Sequence, residues 1–217
     1  MIRRLLSRLF RSSPLDDEMY ALESEQCPCF SIHVTPEEPP AIPQRNSLFI
    51  SAGHSDTDPG AVGNGLTEAD VVLEFRDLLA DKLRDMGVTF DKDGIRGQNL
   101  PLRDAIREAK QHYLSIEFHC NAAASSAATG VETLSHEKHF QFCNQINAVI
   151  SRVLGIRNRG AKPENSGQHS RLGFISTGGG IIVELFFISN PDDVRKYQAN
   201  KHTLVEELAM LIAREVR

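Results

Sequence analysis

Apolar and polar residues alternate between strand-like and helical rhythms from residue 47 onward. Ser47–Ala52 (SLFISA) is a short apolar run closed by Gly53, and it predicts a buried strand. From Glu68 to Met86, apolar residues recur at 71, 72, 75, 78, 79, 83 and 86, the stripe of an amphipathic helix. Thr67 with Asp70 reads as its capping box, and Gly87 as its stop. Val88–Phe90 predicts a strand, and Leu102–His112 a charged helix. Tyr113–Cys120 and Val131–Leu134 predict two more strands, and Lys138–Leu154 a helix stopped by Gly155. Ile181–Phe187 (IIVELFF) is almost wholly apolar, as in a strand covered on both faces. Two short helices close the chain, one after the Asn190-Pro191-Asp192 turn and one from about Leu204. Strands alternating with helices predict an α/β fold, a single open sheet with helices on both faces. In such sheets chemistry gathers where strands end.

Composition narrows the classes. The 217 residues are 41% hydrophobic and 24% charged, ordinary for a globular chain and unlike a disordered or coiled-coil one. A net charge of −5 argues against a general nucleic-acid binder. No run approaches the length of a membrane span. Cysteines 27, 29, 120 and 143 are too irregularly spaced for a disulfide framework, and Cys27 and Cys29 form C-x-C rather than a C-x-x-C redox or zinc motif.

The first 46 residues differ from the rest. Residues 1–12 carry four arginines and no acid, with Leu5, Leu6, Leu9 and Phe10 on one helical face. This predicts a short basic amphipathic helix, suited to anionic lipid or lipopolysaccharide, or to docking on a partner. Residues 13–46 carry seven acids, one base and six prolines, and read as an extended acidic linker. The N-terminal run is too short and interrupted for a secretory signal. The domain expected to carry the chemistry is therefore 47–217.

Candidate chemistry sits at strand ends. The first strand ends Gly53-His54, and the loop after it leads to Glu68 at the start of the long helix. The strand at 113–120 carries His119, and the apolar strand contains Glu184. Two histidines and one glutamate fill three positions of a tetrahedral zinc, leaving the fourth for water, and a further carboxylate takes that water's proton. Alone, each residue has a plainer reading: a strand-end histidine satisfied by its neighbours, or a glutamate favourable to a helix dipole. Glu184 is the exception, because a carboxylate inside IIVELFF is costly unless paired or working. Imidazole and carboxylate ligands also accept divalent ions other than zinc.

The run GHSDTDPGAVGNGLTEADV at 53–71 resembles the opening motif of zinc-dependent N-acetylmuramoyl-L-alanine amidases of the amidase-3 type. FHCNA at 118–122, NRGAK at 158–162 and IIVELFFISNPDD at 181–193 are similar to three further segments of that family, in the same order. The resemblance covers residues 47–217. It implies a mixed sheet of about six strands, with His54, Glu68 and His119 as zinc ligands and Glu184 as general base and then acid. It implies peptidoglycan as substrate, cut between N-acetylmuramic acid and L-alanine of the stem peptide. Arg159 then holds a stem-peptide carboxylate or lactyl oxygen, or is a surface arginine beside a turn. Asn121 and His169 are further candidate substrate contacts, and the other histidines (33, 112, 136, 139, 202) are expected at the surface.

Two departures from the family pattern stand out. Ser55 and Asp56 follow His54 where the family has Gly-Gly, so Asp56 either orients a ligand or caps the loop. Glu117 stands where the family has serine. In a strand it shares a face with His119, and is either an outer contact or an intruding ligand. Cys120 points the other way. The expected setting is phage-induced lysis, with the chain made in the host cytoplasm and reaching the wall at lysis. The alternatives are a bacterial wall-remodelling amidase, a virion-mounted or non-catalytic peptidoglycan-binding module, and a zinc carboxypeptidase.

Overall fold

The computed structural model describes residues 47–55, 57–166 and 171–217. The arm and linker expected over 1–46, and the candidates Asp56 and His169, lie outside the described residues. In chain order the elements are β1 (Leu48–Ala52), β2 (Val62–Gly63), β3 (Leu66–Thr67), α1 (Glu68–Asp85), β4 (Asp91–Lys92), α2 (Leu102–Ala109), β5 (Leu114–Asn121) and β6 (Val131–Leu134). After these come α3 (Phe140–Leu154), β7 (Asn158–Lys162), α4 (Gly173–Ser176), β8 (Ile181–Phe187) and α5 (Pro191–Glu215). A mixed six-stranded sheet runs β4-β1-β5-β8-β6-β7. β4, β1, β5 and β8 are parallel, whereas β6 pairs antiparallel with β8 and parallel with β7. β2 and β3 form a small separate hairpin.

The two faces of the sheet are covered unequally. One carries α1, α3 and α5, whose Val72, Phe75, Leu79, Ile146, Ile150, Leu204 and Leu208 bury against Ile50, Ile116, Phe118 and Val183. Among the described residues the other carries α2 and α4, where Ala105, Ala109, Phe174 and Ile175 cover Phe49 and Ile182. Strand alternation sends the next residues along to this thinner side, and there they are polar. Glu117, His119, Glu132 and Glu184 line the cleft on this side.

Helix ends follow their local chemistry. The Thr67 hydroxyl accepts from the amide of Asp70 at the start of α1, and Asn190 accepts from the amides of Asp192 and Asp193 at the start of α5. Gly155 takes the left-handed conformation (φ 62°) that ends α3.

Several expectations change. The two closing helices are one, because Tyr197 and Leu204 stand two turns apart on the same buried side. The polar residues between them face outward or cover its edge. The strand expected at Val88–Phe90 pairs instead at Asp91–Lys92, since Val88 and Phe90 pack at the core's rim while the backbone beyond them reaches β1. NRGAK forms an edge strand, β7, for which no apolar alternation prepared the sequence. His112, expected at the surface, has its side chain only 8% exposed. It stacks on Phe49 and bonds Asp91. Among the described residues no helix is long and apolar enough to cross a membrane.

Candidate metal centre

The C-terminal ends of β1, β5 and β8 bring the candidate residues together. His54 follows β1 with a left-handed backbone (φ 67°). Asn99 secures that turn by donating from Nδ2 to the carbonyls of Ala52 (2.5 Å) and His54 (2.7 Å). Glu68 is the first residue of α1. Its Oε1 accepts from the Cys120 amide at 2.9 Å and its Oε2 from the Ala61 amide at 2.9 Å. The same Oε1 lies 2.9 Å from His54 Nε2 and 3.0 Å from His119 Nδ1.

Two glycines make this crowding feasible. A Cβ on Gly53 would stand 2.2 Å from His119 Cε1, and one on Gly60 would stand 2.6 Å from His54 Nε2. His54 and His119 meet edge to face, with ring centroids 5.0 Å apart. Each ring has a carboxylate on its far nitrogen. Asp58 Oδ2 lies 3.1 Å from His54 Nδ1, and Glu117 Oε1 lies 3.1 Å from His119 Nε2. These contacts turn His54 Nε2 and His119 Nδ1 toward Glu68, as outer carboxylates do for metal-bound imidazoles.

Glu184 is the register partner of His119 on β8 and of Glu132 on β6. Its side chain therefore shares the site face, on a strand roughly 5 Å from His119. Its Oε2 is buried without a hydrogen-bond partner, and burial pushes its carboxyl up to about 7. Glu68 moves the other way. Burial alone would raise it, but the imidazoles of His119 and His54 set against it hold it well below the usual carboxylate range. Burial would lower both histidines, yet their carboxylate partners raise them, His119 strongly.

These features fit a bound cation. The donor atoms of His54, Glu68 and His119 lie within 4.8 Å of one another. His54 Nε2 is buried and lacks hydrogen-bond geometry to the oxygen beside it. Donors around a tetrahedral zinc sit about 3.3 Å apart, from metal–ligand lengths near 2 Å. Three acidic side chains, Glu68, Glu117 and Glu184, gather around two imidazoles here, surroundings favourable to a cation. The donor set is nitrogen and oxygen only. Cys120, next to His119 in sequence, buries its side chain in the opposite core.

The cleft over this cluster encloses about 460 Å³, a common size for a ligand site. Leu102, Leu134, Leu172 and Phe174 line it as well and give it an apolar wall. Asn121 lines the cleft and donates to Glu132 at 2.9 Å. Arg159 Nε and Lys162 Nζ both reach Glu132 Oε2 at 2.6 Å, and the Arg159 guanidinium lies over the Phe187 ring. Glu132, Asp58, Asn99 and Gly53 were not singled out from the sequence. Glu132 lies in a strand, VETL, that is only half apolar, so its acid carries less signal than Glu184 in IIVELFF.

Comparison with known proteins agrees with this geometry. Residues 48–215 match the Amidase_3 family, N-acetylmuramoyl-L-alanine amidase. The chain is 30% identical over 160 residues to N-acetylmuramoyl-L-alanine amidase LytC of Bacillus subtilis, covering 69% of this chain and 31% of LytC. It thus spans about a third of that relative's length. It is 28% identical over 163 residues to the uncharacterized protein YqiI of Bacillus subtilis, covering 72% of this chain and 77% of YqiI. A Neisseria meningitidis structure with the provisional name N-acetylmuramoyl-L-alanine amidase shares 41% identity at a TM-score of 0.73, covering 78% of this chain and 95% of that one. With the match extending over nearly every described residue, the chain belongs to the Amidase_3 family of N-acetylmuramoyl-L-alanine amidases.

Proposed function

We propose that this chain is a zinc-dependent peptidoglycan hydrolase that cleaves the amide between the lactyl group of N-acetylmuramic acid and L-alanine of the stem peptide. One observation carries the reading: two imidazole nitrogens and one carboxylate oxygen converge within 4.8 Å on the sheet face that also bears Glu184. Family membership and the cleft's size support it. His54, Glu68 and His119 would hold the zinc, which when bound supplies Lewis acidity toward a carbonyl oxygen and toward water.

The remaining work falls to the chain itself. Glu184 Oε2 takes a proton from the water that attacks the amide carbon. It delivers that proton to the leaving nitrogen as the C–N bond breaks, so one water yields a lactyl carboxylic acid and a free amine, which part as carboxylate and ammonium once the acid's proton passes to the amine. A carboxyl raised to about 7 suits both halves of this transfer. The apolar wall of Leu102, Leu172 and Phe174 excludes competing water from one side of the scissile bond. The setting we propose is lysis of a bacterial host from within, the arginines of residues 1–12 meeting an anionic envelope surface.

Mass spectrometry of products from purified sacculi tests the reaction, comparing wild type with Glu184→Gln after both are shown to hold stoichiometric zinc. Intact stem peptides beginning with L-alanine are expected from wild type alone. Release of single amino acids would identify a carboxypeptidase instead. No release by zinc-loaded wild type from sacculi of several types would sink the enzyme reading.

A further inference from the structure

Glu117 is the residue at this site that the reaction above leaves without a role. It is buried, 3% exposed, and its carboxylate is fixed at both ends. Oε1 lies 3.1 Å from His119 Nε2, and Oε2 lies 3.1 Å from the Ser51 hydroxyl on the neighbouring strand, where Ser51 and Glu117 are register partners. Ser51 in turn reaches Asp93 Oδ2 at 3.0 Å, and Asp93 Oδ1 is paired at 2.7 Å with Arg76, whose side chain is wholly buried. The line from Arg76 to His119 thus runs through buried groups supplied by α1, the loop after β4, β1 and β5. Asp58, the counterpart on His54, is 64% exposed at the end of a loop.

An imidazole presents two nitrogens on different edges of one ring, and only one of them faces a given ligand cluster. Here Nδ1 faces Glu68 and Nε2 faces Glu117. A ring that gives its Nδ1 lone pair to a cation must carry its proton on Nε2, and a buried N–H needs an acceptor. Glu117 is that acceptor. A serine at this position carries its oxygen two carbons closer to the backbone and falls short of the ring. Glutamine keeps the acceptor without the charge, and alanine removes both.

We propose that Glu117 is a positioning residue that holds His119 through Nε2–H, so that this chain presents Nδ1 of His119 to its metal. The inference rests on the metal reading above. It adds which nitrogen binds, and why a glutamate stands at position 117.

The test uses the full chain, with zinc affinity measured by competition against a chromophoric chelator. Outer carboxylate partners typically contribute about 10–100-fold to metal affinity. Glu117→Ala is expected to weaken zinc binding within that range, and Glu117→Gln to recover part of the loss because its amide oxygen still accepts. Because alanine opens a gap beside the ring, thermal unfolding of both zinc-free variants is recorded alongside. Long-range ¹H–¹⁵N NMR of the zinc-loaded wild type gives an independent readout, with a proton on His119 Nε2 and the metal-shifted resonance on Nδ1. Zinc on Nε2, or Glu117→Ala binding zinc as tightly as wild type, would overturn the positioning role while leaving the metal centre intact. A wild type with no measurable zinc affinity would retire the metal reading and this role with it.

Discussion

Replacing Arg76 with methionine is expected to destabilise the domain far more than loss of one surface charge would. The wholly buried guanidinium bonds Asp77 Oδ1, the buried Asp93 through Oδ1 and its carbonyl, and the carbonyls of Ile95 and Gln98 nearer the surface. Methionine keeps much of the stem's packing but leaves the fully buried Asp93 carboxylate and carbonyl without their cation. Breaking a buried pair from one side costs about 3–5 kcal/mol. At about 2–4 °C per kcal/mol for a domain of this size, the expected fall in Tm is roughly 6–20 °C.

The pH dependence gives a sharper test. Burial pushes Asp93 up, Arg76 pulls it back, and the net is about 6, above the ordinary 3.8. A carboxyl whose folded pKa exceeds its unfolded one costs the fold nothing while protonated in both states. The cost grows as pH rises toward the folded pKa, and is complete above it. Removing Arg76 raises that pKa further, so the variant's deficit should be larger at about pH 8 than at about pH 5. Thermal unfolding by circular dichroism at both pH values measures it, and Arg76→Met with Asp93→Asn should recover part of the loss. A deficit below about 1 kcal/mol, or one indifferent to pH, would refute the reasoning.

Three other outcomes are expected. Gly53→Ala drives a methyl group into the His119 ring and should abolish tight zinc binding, measured by chelator competition, while overpacking costs stability about 1–3 kcal/mol. Arg159→Ala removes one of two cations from Glu132. Burial raises that carboxyl, but Arg159 and Lys162 lower it further, so the net is downward. Stability from a lowered carboxyl is present above its unfolded pKa and lost as pH falls through the folded one. The variant should therefore lose about 1 kcal/mol at neutral pH, after solvent screening, and match wild type in acid, as read by denaturant unfolding. Asn190→Ala uncaps α5 and should cost about 1 kcal/mol by the same measurement, without altering zinc affinity.

Legibility in the sequence followed the range of the interactions. Thr67, Gly155 and Asn190 act within a few residues of themselves, so the helix ends they set were readable. SLFISA and IIVELFF were readable because strands buried on both sides leave continuous apolar runs. β4 was misplaced because its pairing is made by the backbone of two polar residues, while the apolar Val88 and Phe90 before it serve the rim of the core. α5 was divided because residues 198–203 are nearly all polar, although a helix needs no apolar residue on a turn that faces water. His54, Glu68, His119 and Glu184 were legible through family resemblance and, for Glu184, through an acid in an apolar strand. The line through Ser51, Asp93 and Arg76 was not, because Ser51 meets Asp93 42 residues away and Glu117 66 away. Only the strand order β4-β1-β5 makes them neighbours.

The unequal covering of the sheet has a consequence for how the molecule opens. On one side, three long helices bury a continuous core, and exposing it means unfolding the domain. On the other, among the described residues, an eight-residue helix and a four-residue helix bury a handful of side chains beside the cleft. That cover is expected to detach locally at a small fraction of the global free energy, while β5 and β8 beneath it stay folded. The strands that carry His119 and Glu184 thus belong to the last part of the domain to unfold, and the wall over the cleft to the first. A bulky polymer would gain access by local opening of the cover, with the spacing of His119 and Glu184 undisturbed.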